Sequence, residues 1–563
     1  MSDSDVCLRA RCPHFEQCFY QRARRDATAA DVLVVNHHLL FSDIAVRRAQ
    51  GNYTAPAVLP PYRRVILDEA HNLEDAATMH LGASVTRRSL LRSVGRLERR
   101  GKGILSAIEA RLLVGREDLL RQEALDLIGR TLRPSAELAR DRANALFDQL
   151  ADVVAREPEG VVRLHEDFTA DPAWLEGPAV AVEGLLLALG ALTRGCARLR
   201  ETLHVDRRWA EALKEPVVEL QGIEARLRES AGALRLTFQP GDEPVPMVRW
   251  LERRGVRQWE PRNAWSPPDV AASAAPVELA ALLRTALLDQ VDTAVLTSAT
   301  LTTADGFGFI RGRLGIGAGL RVAEESYPSP FDFERQALVA IATDLPGPRG
   351  DTAASFDRAT AAVVEDLARL SDGGIFVLFT SYRALRAVAA ELRGRGVEGR
   401  WPLFVQGESP RARLLERFTG SGRALLLGES SFWEGVDVPG DPLRGLVIAK
   451  LPFKVPTEPL TAARIEAIER NGGSGFAELM LPLAALRLKQ GFGRLIRSGS
   501  DRGAVVLLDR RLRERGYGRY FLDALPPAPV LVDAWPALVP RLRAFYAEAP
   551  AATFATVIPE VAP

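Results

Sequence analysis

The chain has 563 residues, 47% of them apolar and 26% charged, which is ordinary for globular protein and too long for one domain. The formal net charge is +1, so no global field gathers a polyanion, and any nucleic-acid site has to be a local basic groove. No apolar run approaches the ~18 residues of a membrane span. The start, Met1-Ser2-Asp3-Ser4-Asp5, is acidic and not signal-like. Four cysteines in this length make no disulfide scaffold, so a cytoplasmic compartment is expected.

In chain order, residues 1–30 hold Cys7, Cys12 and Cys18 among Arg9, Arg11, Arg22, Arg24 and Arg25. Thiols at that density suit a metal or cluster better than a cytoplasmic disulfide, although three is one short of the usual ligand set. Residues 31–86 read as α/β, with short apolar runs at Asp31–Val35 and Arg64–Leu67 of the kind expected for parallel strands covered on both faces. Residues 87–240 change to Leu, Ala, Arg and Glu at helical spacing, which predicts a helical insertion; Cys196 within it reads as a small buried hydrophobe. Residues 244–273 resemble a strand hairpin around Arg253-Arg254-Gly255, ending at Pro267-Pro268. Strand signals return at Ala294-Val295-Leu296. From about 327 the runs Ala337–Ala340, Ile375–Phe379, Leu425–Leu427, Leu446–Ile448 and Val505–Leu508 alternate with helical segments, the pattern of a parallel sheet. The tail after 547 is rich in Ala and Pro.

Several strand ends carry chemistry. Asp68-Glu69-Ala70-His71 follows Val65-Ile66-Leu67, and the carboxyl ends of parallel strands line the crevice where ligands bind. One carboxylate there can hold Mg²⁺ while its neighbour orients an attacking water; a solvated turn is the plainer alternative. Thr297-Ser298-Ala299-Thr300 follows a second strand and can bridge that site to a neighbouring lobe or simply cap a helix. Thr380-Ser381 can donate to a backbone phosphate, cap a helix, or do both. Phe432-Trp433-Glu434-Gly435-Val436-Asp437 places carboxylates and aromatics in a Gly-bounded loop, which could instead be held by a buried Trp. In Gln490–Arg497, Arg494 and Arg497 are three apart and Gln490 and Arg494 four apart, so on a helix they share one side. Guanidinium groups so placed can neutralise a transferring γ-phosphoryl group.

This series, in this order, resembles the iron–sulfur helicases of the DinG/XPD group in helicase superfamily 2, most nearly the bacterial DinG type. Asp68–His71 resembles its DEAH box, Ser298–Thr300 its motif III, Glu434–Asp437 its motif V, and Gln490–Arg497 its motif VI. Cys7, Cys12 and Cys18 resemble the last three ligands of its [4Fe-4S] cluster, and Asn36-His37-His38-Leu39-Leu40 the stretch that follows them. The resemblance implies an α/β fold of two RecA-like parallel-sheet lobes with a helical arch-type insertion. The expected divisions are 1–30 (partial cluster segment), 31–86 and 286–326 (first lobe), 87–285 (insertion with hairpin), 327–547 (second lobe) and 548–563 (tail). It implies an ATP-dependent DNA helicase, 5′ to 3′, working as a monomer on DNA with a single-stranded region. Asp68 would bind Mg²⁺ and Glu69 would activate water. His71 and Gln490, with Ser298, Thr300, Glu434, Gly435 and Asp437, would couple nucleotide to lobe closure. Arg494 and Arg497 would meet the γ-phosphate, and Thr380, Ser381 and Trp433 would face single-stranded DNA.

Two features depart from the family. The G-x-x-x-x-G-K-[ST] phosphate loop does not occur; the only Gly-Lys pair, Gly101-Lys102, sits in a helical setting with Gly95 one residue too far upstream. The first cluster cysteine is also missing. Both are expected upstream of Met1, and a first lobe without the strand that carries the loop is expected to be incomplete, with β-runs 65–67 and 294–296 deprived of a shared neighbour. A chain that keeps the motor's shell and binds nucleic acid without hydrolysis is the competing expectation. No separate acidic block of the nuclease type occurs.

Overall fold

Two parallel sheets and one antiparallel sheet organise the chain. The computed structural model describes residues 12, 14–114, 117–241, 243, 245–254, 269–303, 305–348, 350–429, 432–433 and 442–547. Cys7, Glu434, Gly435, Asp437 and the tail lie outside them.

The helix Phe19–Ala29 buries no residue. Asp31–Val35, expected as a strand, is extended chain instead: no described strand pairs with it, and Val32 and Val34 stand exposed. An apolar run becomes a strand only where a ladder partner exists. Asn36 then caps the helix His37–Gln50, its side chain accepting from the Leu39 amide. Strand β1 (Arg64–Leu67) leads through a 3₁₀ turn, Ala70–Asn72, into the helix Leu73–Leu81 and then β2 (Ala83–Thr86). The insertion follows with long helices Arg133–Ala155, Pro178–Val205 and Lys214–Phe238, the short β3 (Val161–Leu164), and the strand pair β4 (Met247–Arg254) and β5 (Asp269–Pro276). Strand β6 (Thr293–Leu296) returns to the first lobe.

β1 and β6 pair directly in parallel, with Val65 opposite Ala294 and Leu67 opposite Leu296. They are therefore mutual neighbours, and the expectation of a shared partner between them is corrected: the two ladders match over their whole length. The antiparallel sheet runs β2-β5-β4-β3, so Ala83–Thr86, assigned by sequence to the first lobe, is bonded to the insertion. Within the insertion the three long helices share one core, in which Leu146, Leu189, Cys196 and Leu227 are fully buried. The stretch Pro172–Val205 is long and apolar enough, by length and composition, to cross a membrane. Here the helix Pro178–Val205 packs between the two others.

The second lobe is a seven-stranded parallel sheet. Its strands are β7 (Ala337–Ala342), β8 (Ile375–Leu378), β9 (Leu403–Val405), β10 (Leu425–Gly428), β11 (Gly445–Ile448), β12 (Gly503–Leu507) and β13 (Val530–Asp533), in the order β13-β7-β12-β11-β8-β10-β9. Strands β7 to β12 are buried on both faces, which explains their unbroken apolar runs. Ile375 and Val377 face a core with Phe356, Leu385 and Leu538, whereas Phe376 and Leu378 face Phe418, Leu488 and Phe521.

Candidate active site at the lobe interface

Asp68 and Glu69 emerge at the carboxyl end of β1 with both side chains exposed. Glu69 is one of three described non-glycine residues at positive φ, with φ 50° and ψ 46°. Such a conformation costs on the order of 1–3 kcal/mol and persists where neighbours enforce it. The enforcement is visible: the Ala70 amide donates to the Thr297 carbonyl at 3.0 Å, and the Thr297 amide to the Leu67 carbonyl at 3.0 Å. The strained turn aims the carboxylate across the end of β6.

Hydroxyls from the next strand end receive both acids. Thr297 Oγ1 donates to Asp68 Oδ1 at 2.8 Å, and Ser298 Oγ donates to Glu69 Oε2 at 3.0 Å. Ser298 Oγ also lies 2.7 Å from His71 Nδ1 and takes the Thr300 amide at 3.1 Å. Because the serine's only proton goes to the carboxylate, Nδ1 of His71 must carry a proton and donate to Oγ; the other tautomer would set two lone pairs face to face. Thr300 Oγ1 sits 3.3 Å from the same nitrogen, and Gln490 Nε2 of the second lobe donates to that hydroxyl at 3.3 Å. The result is a continuous relay, Glu69–Ser298–His71–Thr300–Gln490, that crosses from one lobe to the other. Thr300 and Gln490 are buried, and Gln490 Oε1 has no partner.

Motif VI is built differently from the expected helix face. The helix Leu481–Phe492 stops at Gly493; Arg494 lies in the turn beyond it and Arg497 in the irregular chain after that turn. The Arg494 amide donates to the Gly491 carbonyl at 3.1 Å, and the Arg497 amide to Asp501 Oδ2 at 2.7 Å. The shared face inferred from three-residue spacing is thus corrected, because the chain has left the helix before either arginine. Both still belong to the segment that begins with Gln490; Arg497 is exposed and Arg494 half-buried.

Trp433, expected on the DNA face, borders a cleft that Thr380, Lys454 and Arg487 also line. It is only 4% exposed. Its Nε1–H donates to the Phe379 carbonyl at 3.1 Å, and its own carbonyl accepts from Arg494 Nε at 3.2 Å. A Cβ on Gly491 would meet the indole at 3.0 Å, so glycine at this helix position lets the ring approach the backbone closely. The indole anchors the arginine segment to the end of β8.

Thr380 and Ser381 follow β8 and are half-buried. Ser381 caps the helix Tyr382–Gly394, accepting from the Ala384 amide. Both line a largely apolar cleft with Phe453, Lys450, Lys454, Arg511 and Glu469, in which Lys454 is paired with Asp75 and Arg511 with Asp509. Cys12 and Cys18 are half-buried free thiols, and Cys196 is buried. Among the described residues no group of three or more His, Cys, Asp and Glu side chains is arranged to hold a metal ion.

Sequence reasoning missed a set of charged residues next to this site. Glu74, on the first turn of the helix after His71, is bound by Arg313 Nε at 2.9 Å and by Arg464 Nη2 of the second lobe at 2.6 Å. Asp75 meets Lys454 at 3.5 Å. Burial pushes the Glu74 carboxyl up, but Arg313 and Arg464 outweigh it and hold it below the ordinary value. Adjacency to Asp68–His71 was the only local signal, since the partners lie hundreds of residues along the chain.

A two-lobed α/β body with paired acids at one strand end, tied by hydrogen bonds to an arginine-bearing segment of the other lobe, defines the class of a helicase motor. Known proteins agree. The Helicase C-terminal domain family matches residues 364–528, and the DEAD_2 family residues 7–90. The chain is 31% identical over 534 residues to the ATP-dependent DNA helicase YoaA of Escherichia coli (strain K12), covering 94% of this chain and 72% of that protein. It is 32% identical over 552 residues to the ATP-dependent DNA helicase DinG of Photobacterium profundum, covering 95% and 73%. The 3'-5' exonuclease DinG of Bacillus subtilis (strain 168) is 31% identical over 544 residues, 94% of this chain and 55% of that protein. A solved structure titled XPD_Helicase shares the fold, with a TM-score of 0.51 at 14% identity over 91% of this chain and 75% of that one. The chain belongs to the DinG/YoaA family of helicases and has the XPD-like helicase fold.

Proposed function

We propose that the chain is the hydrolytic and DNA-tracking body of an ATP-dependent DNA helicase that moves 5′ to 3′ along a single strand and works as a monomer. The observation that carries this reading is the relay from Glu69 to Gln490, because it ties a water-activating carboxylate to the opposite lobe through four hydrogen bonds. Asp68 Oδ1 is steadied by Thr297 in an exposed position, which suits a carboxylate that holds Mg²⁺ through its other oxygen. Bound Mg²⁺·ATP would supply the phosphoanhydride to be split. Glu69 orients water; Ser298 and His71 fix the carboxylate; Arg494 and Arg497 place positive charge opposite from the second lobe. Opening of the lobes breaks the Thr300–Gln490 bond, which lets the nucleotide state be felt at both strand ends. Thr380 and Ser381 face the phosphodiester chain, with Lys450, Lys454 and Arg511 supplying charge and Phe453 and Tyr517 stacking surfaces. Cys7, Cys12 and Cys18 offer three thiolates, one fewer than a [4Fe-4S] cluster takes, and no step runs through them.

The test is single-strand-stimulated ATP hydrolysis and strand separation by the full chain, with Glu69→Gln beside it. Loss of turnover by about 10²-fold or more in Glu69→Gln, with DNA affinity kept, is expected. A second reading is nucleic-acid binding without hydrolysis, for which the cleft beside Thr380 and Ser381 would suffice. DNA binding by a wild-type chain that hydrolyses no ATP would replace the first reading with the second.

A further inference from the structure

The two lobes touch in two very unlike ways. At the catalytic end, Gln490 of the second lobe gives Thr300 one neutral hydrogen bond of 3.3 Å, and its Oε1 is left unpartnered. At the other end lies the helix Pro459–Arg470, which follows β11 in sequence but is seated on the antiparallel sheet. Ala463 packs with Val248, Ala275 and Val277, and Leu460 and Ala467 close over the same patch with Trp250. Glu466 accepts both terminal nitrogens of Arg163 on β3 at 2.6 Å each. Arg464 is almost wholly buried, at 3% exposure. Its Nε donates to the Val277 carbonyl at 3.0 Å, and its Nη2 reaches Glu74 at 2.6 Å and Thr78 Oγ1 at 3.4 Å.

Three elements therefore meet on one guanidinium: the helix Pro459–Arg470, the end of β5, and the helix Leu73–Leu81 that follows directly on Asp68–His71. Arg313 completes the site by binding Glu74 in a two-pronged fork from the first lobe. A charge-assisted, buried, multiply bonded contact is far harder to open than a single amide–hydroxyl bond. We infer that Arg464 is a positioning residue, the fixed pivot of the motor: the lobes part at Gln490–Thr300 while Glu74–Arg464 stays shut. Motion of the second lobe then reaches Glu69 and His71 as a rotation of the helix Leu73–Leu81 about its first turn. The helix Pro459–Arg470 is accordingly part of the first lobe's rigid body in motion, although it is inserted in the second lobe's sequence.

This inference stands on the lobe contacts, so a chain that proves unable to hydrolyse ATP can still answer it. Amide hydrogen exchange is read along the full chain for wild type, Arg464→Met, Arg464→Lys, Gln490→Ala and Arg163→Met, with and without a dT oligonucleotide. In Arg464→Met, exchange in Leu73–Leu81 and Pro459–Arg470 is expected to rise on the order of tenfold or more while β8 and β11 stay protected. Arg464→Lys should recover part of that protection. Gln490→Ala should loosen the Thr297–Leu301 segment only, and Arg163→Met should loosen Pro459–Arg470 against β3 without reaching Leu73–Leu81. The pivot is overturned if Arg464→Met leaves Leu73–Leu81 at the wild-type rate. It is equally overturned if the loss of protection spreads evenly through β8, β11 and β12, which would mark a general stability role, or if Gln490→Ala frees Leu73–Leu81 as much as Arg464→Met does.

Discussion

Gly491→Ala tests whether the indole of Trp433 is what holds the arginine segment in place. Glycine near the end of a helix costs stability, and alanine there would by itself return up to about 1 kcal/mol. The space does not allow it freely. The new methyl carbon would sit 3.0 Å from Trp433 Cζ3, 3.1 Å from Cε3 and 3.4 Å from Leu378 Cδ1. The ring cannot simply back away, because its Nε1–H is tied to the Phe379 carbonyl at 3.1 Å. Overpacking of this kind costs about 1–3 kcal/mol, and a lost hydrogen bond about 1 kcal/mol more. The balance is a net destabilisation of about 1–3 kcal/mol, which in a lobe of this size lowers the melting temperature by about 3–9 °C. Thermal unfolding followed by circular dichroism measures it. Since Arg494 Nε donates to the Trp433 carbonyl at 3.2 Å, displacement of the ring also moves the guanidinium proposed to meet the γ-phosphate, so ATP turnover should fall further than stability alone accounts for. In the double variant Gly491→Ala/Trp433→Phe, the smaller ring relieves the clash and the two costs should be less than additive. A melting temperature equal to or above wild type in Gly491→Ala, or strict additivity with Trp433→Phe, would refute the packing argument.

Three further outcomes follow from the same structure. Ser298→Ala removes the hydroxyl that bridges Glu69 and His71 and leaves Nδ1 of His71 only the longer contacts to Thr300 Oγ1 and Glu69 Oε2, each at 3.3 Å, among those described; turnover should drop by about 10- to 100-fold with little change in DNA affinity, read by steady-state kinetics and anisotropy. Glu74 is held below the ordinary glutamate value, so its contribution is complete at neutral pH and above the unfolded value of about 4.3, and is lost as pH falls through the lower folded value. Exchange protection of Leu73–Leu81 should therefore hold at pH 5 and fail only in stronger acid; loss between about pH 7 and 5 would contradict the assignment. Burial pushes the Cys196 thiol up to about 12, so in the native chain iodoacetamide at about pH 8 should label Cys12 and Cys18 and spare Cys196, as judged by mass spectrometry of the peptides.

Legibility in the sequence followed the range of the interactions. Strands β7, β8, β10, β11 and β12 could be read because a parallel sheet covered on both faces leaves continuous apolar runs, whereas the short run Val530-Leu531-Val532 of β13 follows the Pro-rich Pro526–Pro529 and lies at the edge with Val530, Val532 and Asp533 exposed. Asp68–His71 was readable because its chemistry lies within four consecutive residues at a strand end. Arg494 and Arg497 were misplaced because residue spacing carries no record of where a helix stops; Gly493 was visible as a glycine but not as a cap. For Trp433 the sequence left a buried anchor and an exposed loop both open, because its burial depends on Gly491, which meets it only through tertiary packing. Asp31–Val35 failed for the complementary reason: its composition suits a strand, but a strand also needs a partner. Glu74 was invisible as a functional residue because an acid on the first turn of a helix is ordinary, and only its two buried arginine partners make it otherwise.

The eight-residue stretch from Asp68 to Asp75 carries both ends of the lobe interface. Its first half faces the relay through Thr297, Ser298 and Thr300, and its second half faces Arg313, Arg464 and Lys454. No flexible link separates the halves: the strained turn at Glu69 passes directly into the 3₁₀ turn Ala70–Asn72 and the helix Leu73–Leu81. A segment clamped at one end by a buried cation, and linked at the other to the second lobe only through the single neutral Gln490–Thr300 bond, turns about the clamp when the lobes move. The atoms that move furthest are those of Glu69 and His71. The left-handed backbone of Glu69 gains a physical purpose from this, because a residue held at φ 50° by the hydrogen bonds that its neighbours Leu67 and Ala70 make to Thr297, just past β6, returns to one geometry each time the lobes close.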